Sequence, residues 1–126
     1  MRMIPTTVHG AIDYVMGVVL IVAPWIFGFS DTEAAKWISV ILGIGVIAYS
    51  LLTDYEFGMI PMIPMTTHLW IDAASGVFLA ISPWLFGFAE EAWIFFVIVG
   101  LGEIAAAAMT QRHPGRRRVT HKGVAT

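Results

Sequence analysis

The feature that most constrains this chain is a segment that occurs twice. Shifted by 59 positions, residues 3–29 fall on residues 62–88, and 15 of the 27 positions are identical. The matches include Pro5/Pro64, His9/His68, Asp13/Asp72, Gly17/Gly76 and Leu20/Leu79. A Pro-Trp-x-Phe-Gly-Phe run closes each copy. The shared positions 9, 12, 13, 17, 20, 24, 27 and 28 step by three or four, which traces one face of an α-helix. The residues between them differ and need only be apolar, so the duplicated face is expected to pack inward and the other face to meet lipid. Two copies are too few for a solenoid, which needs three or more units.

The segments after each copy also match, at an offset of 57: Gly43/Gly100, Gly45/Gly102, Ala48/Ala105 and Thr53/Thr110. The repeating unit is therefore a helical hairpin, repeat 1 covering 3–53 and repeat 2 covering 62–110. Four apolar runs result, at 8–29, 37–52, 67–88 and 93–109. The first is about 33 Å of helix at 1.5 Å per residue, enough for a bilayer core of about 30 Å. A cleaved signal peptide is excluded for it, because the same segment recurs in mid-chain. With 58% hydrophobic and 13% charged residues, the chain departs from the roughly 25% charged residues of soluble domains. The expected fold is an all-α membrane protein, four transmembrane helices in one domain, 1–110. The absence of cysteine excludes disulfides, thiolate metal sites and cysteine nucleophiles.

Six of the seven basic residues lie at the termini, Arg2 and five in the tail 111–126, whereas the loops after the two Pro-Trp runs carry Asp31, Glu33, Glu90 and Glu91 with one lysine, Lys36. Cytoplasmic flanks collect Lys and Arg. Both termini and the 53–67 loop are thus expected inside a cell membrane, and both Pro-Trp ends outside. The hairpins then point the same way, related by a pseudo-twofold along the membrane normal. The basic tail is expected to be disordered and to touch anionic lipid. It is too short and too poor in aromatics for nucleic acid.

At the helix ends, Pro5 with Thr6 and Thr7 reads as a start with a hydroxyl cap. Pro24 predicts a kink, Trp25, Phe27 and Phe29 an aromatic belt, and Gly28 a left-handed stop. Trp84, Phe86 and Gly87 repeat this after Pro83. The glycine pairs Gly43/Gly45 and Gly100/Gly102 read as close helix contacts.

Paired hairpins carrying Ser82-Pro83-Trp84, with Ala23-Pro24-Trp25 departing at the serine, resemble the SPW-repeat family of small bacterial and archaeal membrane proteins. The resemblance implies a membrane-embedded two-helix repeat. It carries no established activity and no catalytic residue.

Chemistry, if any, concentrates in two His-x-x-x-Asp pairs, His9/Asp13 and His68/Asp72, each on one helix face. Glu103 lies at similar depth, and its counterpart Val46 is apolar. A carboxylate at bilayer depth costs about 2.5–3.5 kcal/mol, which calls for pairing. Three readings stay open. The pairs tie helix ends together near a wet interface, in a structural or accessory module acting alone, as a homo-oligomer or with a membrane partner. They form a transport or proton path with Glu103, since histidine titrates near neutral pH. Or they bind a metal through His9, His68, Asp13 and Asp72, or haem between the histidines. No cofactor is required by the first reading. No hydrolase triad, phosphate loop or nucleotide fingerprint is present.

Overall fold

The computed structural model describes residues 2–113, and these form helices only. They are α1 (Thr6–Ile26), α2 (Glu33–Leu51), α3 (Met65–Leu85), the single turn α4 (Ala89–Ala92) and α5 (Ile94–Met109). The expected tail falls mostly on 114–126, outside the described residues.

Each long copy of the repeat starts at a proline. Pro5 and Pro64 are the N-cap residues, both extended (φ −64° and −60°), and no side chain caps either helix. The expected hydroxyl cap is thus corrected. Thr6 lies inside α1, and its hydroxyl bonds the Glu56 carboxylate at 2.8 Å, reaching the loop between the repeats. Pro24 and Pro83 stand in the last turns of α1 and α3. Beyond them the Phe29 and Phe88 amides donate back to the Pro24 and Pro83 carbonyls (2.8 and 2.7 Å). The glycine before each phenylalanine has positive φ, 77° at Gly28 and 75° at Gly87. This is the six-to-one bond with a left-handed residue that ends many helices. The acidic turn predicted after the second copy winds into α4.

The helices associate as α1 with α2 and α3 with α5. Both pairs cross at glycine. A Cβ on Gly43 would stand 2.7 Å from the Gly17 carbonyl oxygen, and one on Gly100 would stand 2.5 Å from that of Gly76. The second glycine of each expected pair behaves otherwise, since Gly45 and Gly102 meet nothing within 4 Å. They line cavities and make no close helix contact.

The two ends of the bundle differ in chemistry. At the Pro-Trp end Phe29 and Phe88 are buried against Phe96 (centroids 5.4 and 4.9 Å). Phe29 is therefore a core residue rather than part of an aromatic belt, while Trp25, Phe27, Trp84 and Phe86 stay exposed. At the other end the chain is stitched. The Ile4 amide donates to Met109 and the Gln111 amide to Ile4, while Ile63 pairs in the same parallel sense with Thr53. Arg2 caps α5, donating to the carbonyls of Ala107 (3.1 Å) and Thr110 (2.6 Å).

Among the described residues, α1 and α2 are long and apolar enough to cross a membrane. α5 is apolar but has 16 residues, and α3 does not pass the same test.

Candidate functional site

The stitched end encloses the two His-x-x-x-Asp pairs. One helical turn separates His from Asp in each pair, and the inward face that carries them brings all four side chains together. They are not at a wet interface: relative exposures are 2% for His9, 5% for Asp13, 0% for His68 and 3% for Asp72. Burial on this scale requires partners for every polar atom.

The pairing is reciprocal. His9 Nε2 lies 2.6 Å from Asp72 Oδ2 and 3.1 Å from its own Asp13 Oδ1. His68 Nε2 lies 2.9 Å from Asp13 Oδ2 and 3.2 Å from its own Asp72 Oδ2. Each histidine of one repeat thus holds the aspartate of the other, the pattern expected of a twofold contact. The imidazoles meet edge to face, 5.6 Å between centroids.

Hydroxyl groups complete the site. His9 Nδ1 lies 2.8 Å from Thr110 Oγ1 and His68 Nδ1 lies 2.7 Å from Thr53 Oγ1. Each threonine hydroxyl donates its single proton to the carbonyl four residues earlier, Ala106 or Tyr49 (2.5 and 2.6 Å). It can therefore only accept from the ring, which assigns an N–H to Nδ1 of both histidines. The Tyr55 hydroxyl donates to Asp13 Oδ2 at 3.0 Å, and the Tyr49 hydroxyl donates to Asp72 Oδ1. Tyr55 is in the inter-repeat loop. Its burial first, and the Asp13 charge second, push its hydroxyl above the ordinary tyrosine range, which keeps it a donor.

With Nδ1 protonated, each Nε2 faces carboxylate oxygens. A bare nitrogen lone pair at 2.6–3.2 Å from a carboxylate is repelled. A proton must lie between each Nε2 and a carboxylate, carried by the ring or by the carboxyl, or else a metal cation must lie between them. Two protons or one divalent ion would each bring two carboxylates to neutrality, which a low-dielectric interior demands. Haem fits poorly, because the space between the two Nε2 atoms is held by the carboxylates.

Glu103 does not join this network. Its Oε2 is buried without a hydrogen-bond partner. It lines a cavity of about 310 Å³ between α1 and α5, whose wall includes His9, Asp13 and Asp72. It also borders a smaller cavity of about 190 Å³ between α2 and α3.

Residues 7–110 match the SPW repeat domain. The chain belongs to the SPW repeat family. This is a membrane-associated family without an established activity. No curated protein and no solved structure gives a significant match. The name-giving serine of this SPW protein, Ser82, donates to the Phe78 carbonyl at 2.5 Å, far from the histidines. In the first copy, where Ala23 replaces it, Ser39 on α2 donates to the Leu20 carbonyl at 2.6 Å. That carbonyl is the one Pro24 leaves without a helical donor.

The sequence pointed to the four central residues. It passed over the hydroxyls around them. Thr53 and Thr110 carried a signal, since they match across the repeats, whereas Tyr49 and Tyr55 have no tyrosine counterpart.

Proposed function

We propose that this protein is a non-enzymatic, four-span module of the cell membrane, with both termini cytoplasmic, in which the His–Asp cluster fastens two hairpins into one body. The observation that carries it is the reciprocal pairing: every one of the four central groups bonds across the repeat boundary. A protein whose hairpins must stay together in lipid gains little from apolar contact between helices, because lipid is equally apolar. A buried polar cluster supplies the missing specificity. Four spans are supported by the equivalence of α3 to α1 and of α5 to α2. Large apolar side chains also stand exposed along α3 and α5, among them Trp70, Val77, Ile81, Ile94, Ile98 and Leu101. The charge asymmetry supports the orientation, and the basic tail would rest on anionic lipid.

The chain's lack of cysteine makes the topology test direct. Single cysteines at Asp31, Phe57, Glu90 and Gln111 are labelled with an impermeant thiol reagent in intact cells. Labelling at 31 and 90 without lysis, and at 57 and 111 only after it, is expected. Positions 57 and 90 on the same side would remove the third span and overturn the reading.

A second reading, proton or ion passage, rests on the unpartnered Glu103 carboxyl in a cavity that reaches the cluster. Flux into liposomes that is abolished by Glu103→Gln would establish it. Equal flux through both proteins would exclude it.

A further inference from the structure

We propose that the cluster is a metal site in which His9 Nε2, His68 Nε2 and one oxygen each of Asp13 and Asp72 bind one divalent transition-metal ion of the Zn²⁺ class. The proposal rests on the reading of the cluster as the fastening between the hairpins and states what stands at its centre.

Three observations carry it. The first is convergence: one ligand atom from each of the four residues lies within 4.8 Å of all the others. Ligands held at about 2.0–2.2 Å around a tetrahedral ion stand about 3.4 Å apart, so the closest atoms, now at 2.6 Å, must part by about 0.8 Å and the most distant, at up to 4.8 Å, must close by about 1.4 Å. The second is the outer layer. Metal-bound histidines donate their other N–H to a fixed acceptor, and metal-bound carboxylates are themselves hydrogen-bonded. Here each ligand has its own hydroxyl: Thr110 for His9, Thr53 for His68, Tyr55 for Asp13 and Tyr49 for Asp72. Such a shell satisfies the buried groups in a metal-free clasp as well, and it is also the arrangement that holds metal ligands in place. The Nδ1–H assignment also leaves Nε2 as the ligating nitrogen in both rings. The third is access. The cavity between α1 and α5 opens onto the cluster, and the Glu103 carboxyl stands in its wall, a waypoint for a cation.

Two nitrogens and two carboxylate oxygens suit Zn²⁺, Fe²⁺, Mn²⁺, Co²⁺ or Ni²⁺, and disfavour soft copper(I) and the all-oxygen preference of Mg²⁺ and Ca²⁺. The ion's two charges offset those of the two aspartates. All ligands are protein groups, so the site is closed, the form that structural rather than catalytic zinc takes.

The test uses the full chain in detergent, freed of metal with a chelator and titrated with Zn²⁺ and with Co²⁺. One ion per chain is expected, with the intense visible bands of four-coordinate cobalt. His9→Gln and Asp72→Asn should lose the bands. Because either variant could fail to fold, Thr110→Val is measured beside them. It leaves every ligand in place and should weaken binding about 10–100-fold. Folded wild-type protein that takes up neither ion overturns the proposal, as does binding that persists in His9→Gln or is unchanged in Thr110→Val. A metal-free protein that still loses stability in His68→Ala would keep the fastening and remove only the ion. Full stability in His68→Ala would remove the fastening itself.

Discussion

The groove between α1 and α5 and the groove between α3 and α2 are built from corresponding residues, yet only the first holds a roomy cavity on the cluster. Ile12 faces the first and Ile71 the second, and Gly102 and Gly45 match in the same way. The grooves differ most at two places on the helix that closes them. Where α2 has Tyr49, α5 has Ala106, and where α2 has Val46, α5 has Glu103. Tyr49 fills its groove and bonds Asp72. Ala106 leaves its groove open, and Glu103, with an unpartnered carboxyl oxygen, borders both cavities. What the repeats share holds the protein together. What they do not share makes one side accessible.

The shared part is broken first. Removing one member of a buried ion pair leaves its partner charge uncompensated and costs about 3–5 kcal/mol. His9→Ala and His68→Ala should each lose that much, and about equally in the hydrogen bonds, which are mirrored, with His68→Ala losing in addition the ring's packing on Tyr49 and Tyr55. Reversible unfolding in mixed detergent micelles reads both. A large loss in one and a small loss in the other would show that the cluster is not the symmetric fastening described here.

The helix crossings come next. Gly43→Ala and Gly100→Ala press a methyl group onto a backbone carbonyl at 2.7 and 2.5 Å, and overpacking of this kind costs about 1–3 kcal/mol. Gly45→Ala and Gly102→Ala meet open space and should instead gain up to about 1 kcal/mol of helix propensity. Opposite signs two residues apart would separate contact glycines from cavity glycines by the same unfolding assay.

That difference marks how far the sequence could be read. The repeat gave the hairpins, the inward face and the four central residues, because duplicated polar residues at three- and four-residue steps leave few arrangements. It could not tell Gly43 from Gly45, since both recur and only the crossing point decides which one touches. It placed the histidines near water from their distance to the helix start. The structure buries them, because the segment before α1 folds back over the end of α5 and shuts the site. Such a long-range contact, Ile4 to Thr110, leaves no periodic trace. Tyr49 and Tyr55 were illegible for a related reason: a residue that breaks the repeat looks like drift until its partner is seen.

The unshared part is tested by Glu103→Val, which copies Val46 into the second repeat. Leaving a buried polar group unsatisfied costs about 1–3 kcal/mol, so the variant should be more stable by about 1 kcal/mol or more. A loss of stability would mean that Glu103 has a partner in the membrane and is not a free carboxyl in the cavity wall.

The smallest effect concerns the signature serine. Ser39→Ala leaves the Leu20 carbonyl with no donor, because Pro24 cannot supply one. Side-chain hydrogen bonds between helices in membrane proteins average about 0.6 kcal/mol, and a loss of about that size is expected. Ser82→Ala should cost less. The Phe78 carbonyl that Ser82 contacts still receives the regular amide bond of residue 82 in an α-helix, so removing the hydroxyl leaves nothing orphaned. The two copies thus differ in where their serine sits: on the proline helix in the second, where it adds to a bond already made, and on the neighbouring helix in the first, where it replaces one the proline removed. Comparison of the two alanine variants in one unfolding series decides it. A larger loss for Ser82→Ala would mean that the signature hydroxyl acts beyond its own helix, and that Ser39 is not the replacement for it.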